Sequence, residues 1–409
     1  MNDRDLTSRR WLILAASCLV NLCIGSLYAW SVFARPMAER LSSLNGTEVM
    51  GLAIVFTVAN AVGPITMISG GAIVDRIGPG WVIRVGGLLF GAGMIASGFA
   101  TSVAWLVVSY GLGVGLGVGM VYGATVSNAV KFFPDRRGLA GGVATASYGA
   151  SSVLVPPIAN MLTASFGITR AFVAIGIAML VVIEVASLVI RACPASFVPE
   201  GWEPPASQAM TGGADLSWQG MLREPRFWLM LSMLLCGAFS GLMITSQASP
   251  VAQDMVGMDA ASAALVVSML AVFNMLGRIV AGALSDRLGV VGTIRLVFCV
   301  SLAGLALLAF AGGGAVVPFV VGVCLVGFAF GSIMGVYPGF TASQFGTRNN
   351  SVNYGIMFCG FALAGFFGPT IMTSLYAAMG SYPPAFFVAA ALSAVGLGLT
   401  LAFEKVPVA

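Results

Sequence analysis

Residues 71–78 read Gly-Ala-Ile-Val-Asp-Arg-Ile-Gly, and residues 282–289 read Gly-Ala-Leu-Ser-Asp-Arg-Leu-Gly. The copies stand 211 residues apart, each at the end of a long apolar run. Further matches lie at nearly the same interval: Phe133, Arg136 and Pro157 return as Phe345, Arg348 and Pro369. A shared interval between independent matches marks an internal duplication, two homologous halves in one chain.

The runs around these motifs set the solvent. Apolar residues make up 58% of the 409 positions and charged residues 8%, against roughly a quarter charged in a soluble domain. Stretches of about 20 apolar residues, enough to cross a bilayer core of about 30 Å as a helix, fall near 11–37, 48–74, 81–99, 103–130, 138–165, 169–192, 226–252, 260–284, 290–311, 316–342, 350–378 and 383–403. The basic cluster before Trp11 imitates a signal peptide, but its apolar run continues to Phe33 and more runs follow, so it reads as a first transmembrane helix. The predicted fold is an all-α membrane protein with twelve transmembrane helices in two pseudo-symmetric six-helix bundles, residues 1–192 and 226–409. A cytoplasmic linker, 193–225, carries Pro194, Pro199, Pro204 and Pro205. Lysines and arginines gather at the N-terminus, in the even-to-odd loops and at the C-terminus, with Arg35, Arg40 and Arg170 opposite, which places both termini in the cytoplasm.

Composition also removes function classes. With no histidine, the usual zinc sites and His-based acid–base chemistry are absent. The seven cysteines are scattered without a CxxC pair and read as small packing residues. Glycines such as Gly111, Gly113, Gly115, Gly117 and Gly119 sit inside apolar runs, where small residues let membrane helices approach. The expectation is a non-enzymatic chain with no cofactor, no metal and no nucleic-acid partner, whose surroundings are the lipid bilayer.

The repeated motif has a physical role. A helix C-terminus favours cations, glycine ends the helix, and the aspartate can pair with a basic group or a helix N-terminus of the other bundle. Asp75, Arg76, Asp286 and Arg287 are therefore candidate gating residues. The doubled motif resembles the signature loop of the major facilitator superfamily, which implies a ligand site between the bundles near the membrane midplane.

One charge lies deep in a run. Arg278 stands inside the eighth span, about 12 Å of helix from the cytoplasmic motif. Its counterpart in the first half is Met67, so the duplicated scaffold does not require it. An intramembrane charge is costly and marks function, and a guanidinium fork suits a carboxylate. The competing reading is a structural pair with Glu184, the deep acid of the sixth span. Asn274, four residues before Arg278, shares its helix face.

Three further stretches narrow the family: Lys131-Phe-Phe-Pro-Asp-Arg-Arg-Gly-Leu-Ala-Gly-Gly142, Arg223-Glu-Pro-Arg-Phe-Trp228 and Asn353-Tyr-Gly355. Together they resemble the oxalate/formate antiporter and monocarboxylate transporter branch of that superfamily, across all twelve spans. The resemblance implies that Arg278 binds a substrate carboxylate and that Leu27, Tyr28, Tyr122, Tyr148, Phe330, Met334, Phe358, Cys359 and Phe361 line the chamber. Oxalate carriers of the branch place a lysine where this chain has Phe361, which disfavours a dianion. Animal monocarboxylate transporters place an aspartate where this chain has Asn274 and a lysine near Val32. The implied protein is a monomeric secondary transporter of the bacterial inner membrane, carrying small monocarboxylates such as lactate or pyruvate by alternating access, with a proton as co-substrate. Asp254, Asp259 and Glu184 are its candidate relays. Oxalate/formate-type anion exchange is the alternative.

Overall fold

A computed structural model of the chain describes residues 3–49, 52–194, 197–203, 215–312 and 314–406. Pro204 and Pro205 of the linker, and residues 50–51 of the second predicted span, lie outside them. Among the described residues every regular element is a helix.

The first span is the longest. Helix α1 (Asp3–Ile24) passes through a 3-10 turn, Gly25–Ala29, into α2 (Trp30–Asn45), so the path runs well beyond 37. The polar end of α2 is supported by Arg35 and Glu39, whose i,i+4 pair closes at 2.9 Å. Then follow α3 (Ala53–Ile77) and α4 (Pro79–Gly98). The fourth span is composite: α5 (Val103–Leu106), a π-helical stretch over Val107–Val114, and α6 (Gly115–Phe132). Helices α7 (Arg137–Phe166) and α8 (Ile168–Ser187) complete the first half.

After the linker come a short α9 (Trp218–Arg223), then α10 (Pro225–Val256), α11 (Ala260–Leu288), α12 (Val290–Phe310) and α13 (Val316–Phe345). The eleventh span breaks at Phe358 into α14 (Asn350–Met357) and α15 (Cys359–Met379), and α16 (Pro383–Lys405) is the last. Prolines 79, 225 and 383 open their helices, where the missing N–H costs nothing. Eleven of these segments are long and apolar enough to cross a membrane. The twelfth, α7, has the length, 30 residues, but its apolar character is diluted by glycine, alanine and serine. Each of the twelve predicted spans thus has a helical counterpart.

Two compact units emerge from the contacts. Unit 1 holds Met1–Asp135, Ser147–Pro204 and Gly346–Ile356; unit 2 holds Arg136–Ala146, Pro205–Phe345 and Met357–Ala409. Each unit therefore takes one helix start from the other half of the sequence: the first turns of α7 pack in unit 2, and most of α14 packs in unit 1. Internal pairing repeats between the units. The second span of each half packs on the fourth, α3 on α6 and α11 on α13, and the third on the sixth, α4 on α8 and α12 on α16.

Candidate functional site

Arg278 is 4% exposed on α11, in unit 2. Its Nε donates to Asn274 Oδ1 at 3.1 Å, and its Nη1 donates to the Thr145 carbonyl, on α7, at 2.7 Å. Both acceptors are neutral. Among the described residues no carboxylate lies within ion-pair distance of Arg278, and a guanidinium carries five N–H donors, so several remain for an anionic ligand. Leaving that buried cation uncompensated costs several kcal/mol.

The position of this pair is set by glycine. Along α13, Gly327, Gly331, Gly335 and Gly339 recur every fourth residue and form one face. Gly327 meets the Leu270 carbonyl, Gly331 that of Asn274 and Gly335 that of Arg278, while Gly339 meets the backbone of Arg137. Close approach of this kind is what four-residue glycine spacing provides between membrane helices. The α7 side does the same, Gly142 touching the Arg278 backbone and Gly138 that of Gly282.

Aromatic residues divide between the units. In unit 1, Tyr148 on α7 is flanked by Tyr28, from the 3-10 turn, with ring centroids 5.4 Å apart, and by Tyr122 of α6 at 5.0 Å. Leu27 is buried beside this cluster in sequence, its carbonyl accepting from Tyr110 Oη at 3.3 Å. In unit 2, Phe361 stacks on Phe358 at 4.5 Å and on Phe330 at 6.3 Å. Met334, one turn from Phe330, is buried, and Cys359, next to Phe358, is half-buried.

The two motif aspartates make equivalent contacts. Asp286 Oδ1 accepts from Gly138 N and Oδ2 from Leu139 N, both at 2.8 Å, at the first turn of α7. Asp75 accepts from Ser351 N at 3.3 Å and Val352 N at 3.1 Å, at the first turn of α14, and from Lys131 Nζ at 2.9 Å. Carboxylates are stabilised at a helix start by its orphan N–H groups and positive end. Each motif closes on a glycine at positive φ, Gly78 at 88° and Gly289 at 77°; ψ of 170° and 154° puts both in a region that side-chain-bearing residues avoid. Arg76 and Arg287 are exposed at the ends of α3 and α11.

The three acidic relay candidates occupy separate places. Asp254 accepts from Tyr382 Oη at 2.9 Å, and burial plus that bond to a carboxylate push the Tyr382 phenol above its ordinary range. Asp259 caps α11, taking the Ser262 amide at 2.6 Å, and the bond holds its carboxyl below the usual value. Glu184 lies on the α8 face toward Gly87 of α4, with Oε1 buried and without a hydrogen-bond partner. The sequence reading did not single out Thr145, which acts through its main chain, or Lys131 as a partner of Asp75. It also missed the glycine ladder, whose four-residue spacing was a visible signal.

The chain matches known proteins along most of its length. The model of the Major Facilitator Superfamily matches residues 10–369, and the chain belongs to that family of membrane transporters. It is 30% identical to an uncharacterized MFS-type transporter of Escherichia coli, YhjX, over 89% of this chain and 87% of that one. It is 28% identical to the oxalate:formate antiporter of Oxalobacter formigenes, over 96% and 91%, and 27% identical to mouse monocarboxylate transporter 11, over 92% and 83%. Among solved structures, the transporter FucP aligns with a TM-score of 0.73 at 15% identity, covering 97% of this chain and 100% of that one, a likeness of fold.

Proposed function

We propose that the chain carries small monocarboxylates, lactate- or pyruvate-like, across the bacterial inner membrane by alternating access, with both termini cytoplasmic and one chain as the functional unit. The observation that carries this reading is Arg278, a buried guanidinium whose two partners are the neutral oxygens of Asn274 and Thr145. A carboxylate ligand supplies the missing counter-charge, and the planar fork fixes its orientation. Phe330, Phe358 and Phe361 supply apolar surface in the same unit, while Tyr28, Tyr122 and Tyr148 are proposed to line the chamber from unit 1, as the family resemblance implies. Asp75 and Asp286 serve as latches whose helix starts are released in the opposite state, and the moving bodies are proposed to be residues 1–192 and 226–409.

Proton symport follows if Glu184, with an unpartnered buried oxygen, takes up the proton. Exchange of one anion for another is favoured instead by the neutrality of both Arg278 partners and by the likeness to an oxalate:formate antiporter. Uptake of labelled lactate into proteoliposomes decides. Uptake driven by an inward proton gradient into empty vesicles supports symport; uptake that requires preloaded carboxylate supports exchange; none under either condition rejects the substrate class.

A further inference from the structure

At the start of α1, Arg10 is buried to 7% exposure although it sits one residue from the exposed Trp11. Its two terminal nitrogens grip Asp135, Nη1 to Oδ1 at 2.6 Å and Nη2 to Oδ2 at 3.0 Å. The guanidinium carbon lies 4.5 Å from the Phe133 ring centroid, and Trp11 packs edge-on against that ring at 4.8 Å. A solvent-exposed ion pair contributes little. This one is two-pronged, desolvated and backed by an aromatic face, which fixes direction as well as distance.

Its place in the chain gives it meaning. Asp135 is the last residue of its segment in unit 1, and Arg136 opens the segment that packs in unit 2. Gly138 and Leu139, whose amides hold Asp286, follow within four residues. Three residues reach about 10 Å when fully extended, so the helix start that Asp286 holds cannot move far unless Asp135 moves with it.

We propose that the Arg10–Asp135 pair is the linkage through which the first helix drives the start of α7, making Arg10 a positioning residue of the Asp286 latch. The inference rests on the latch reading above. Arg10 need not touch substrate; it sets how readily the latch engages. Loss of the pair removes one tether of the 133–136 loop, so the latch closes less often while ligand affinity is kept.

The test uses the full chain in proteoliposomes and two readouts. Ala140, 1% exposed in the first turn of α7, is replaced by cysteine, and its alkylation by maleimide is resolved by peptide mass spectrometry; lactate counterflow gives KM and kcat. Arg10→Gln and Asp135→Asn are expected to raise alkylation at position 140 several-fold and cut kcat about tenfold, with KM within about twofold. The reversal Arg10→Asp with Asp135→Arg restores both. Unchanged alkylation and kcat overturn the proposal. So does transport lost only in proportion to folded protein, without rescue by the reversal. If Arg10→Gln does not fold, Arg10→Lys, which keeps the charge and loses the fork, is expected to show the same changes at smaller size. A parent chain that does not move lactate counts against the substrate reading, while alkylation at 140 still judges the linkage.

Discussion

Gly335 of α13 lies at backbone contact with Arg278 of α11: a Cβ added there would stand 2.5 Å from the Arg278 carbonyl oxygen and 2.7 Å from its Cα. The residue proposed to hold the ligand is therefore placed by a neighbour with no side chain. Gly335→Ala must push α11 away, at an overpacking cost of about 1–3 kcal/mol. The expected result is a rise of about tenfold in KM for lactate, whereas Gly398→Ala, with open space around its Cβ, leaves KM unchanged. Kinetics normalised to folded protein check both.

Arg278→Lys keeps the charge and loses the planar fork. An ammonium on a flexible stem cannot serve Asn274, Thr145 and a carboxylate with one fixed geometry, so kcat/KM for lactate is expected to fall by about a hundredfold or more. Near-parental transport by correctly inserted Arg278→Lys protein would remove the ligand role.

Asp286→Asn and Asp75→Asn each keep the shape of a helix cap and remove its charge. A charge at a helix start contributes about 0.3–1 kcal/mol, more where partly buried, so the latch should open several-fold more easily. Substrate affinity measured by equilibrium binding is expected to hold while the exchange rate changes. Lost affinity with normal turnover would contradict a gating role. Asp75→Asn should have the larger effect, because Lys131 then loses its partner at 2.9 Å.

By the family resemblance, Phe361 takes the place of a lysine in oxalate carriers, and its ring stacks on those of Phe358 and Phe330. One guanidinium neutralises one carboxylate, and a second, desolvated carboxylate costs several kcal/mol. Oxalate should therefore compete with labelled lactate about a hundredfold less well than pyruvate does. Phe361→Lys should narrow that gap at some loss of lactate transport. Equal competition by oxalate and pyruvate on the parent chain would defeat the argument.

How much of this was legible in the residues differs from feature to feature. The spans were, because apolar runs in lipid need no finer encoding than length, and the doubled Gly-x-x-x-Asp-Arg-x-Gly motif announced the duplication. Arg278 stood out as a charge in an apolar run, and Asn274 followed from helical spacing. Thr145 left no trace, since any residue offers a carbonyl. The glycine ladder had a period, but among 53 glycines it had little contrast. Arg10 and Asp135 stood out only as members of a basic cluster and of a loop stretch, because burial of a terminal pair depends on partners distant in sequence. The exchange of 136–146 and 346–356 between units was invisible for the same reason: periodicity shows which face of a helix is apolar, not which neighbour covers it.

The π-helical stretch at Val107–Val114 fixes the azimuth of everything after it in the fourth span. Its wider turns hold about one residue more than α turns would, and that extra residue decides whether Tyr122 points toward Tyr148, 5.0 Å away, or elsewhere. Excising one residue there would let ordinary helix form and swing Tyr122 around the axis by about 100°, with every side chain chemically intact. Changes in chain length at this point, which substitution scans do not sample, are thus a route by which the proposed chamber is given a different aromatic lining.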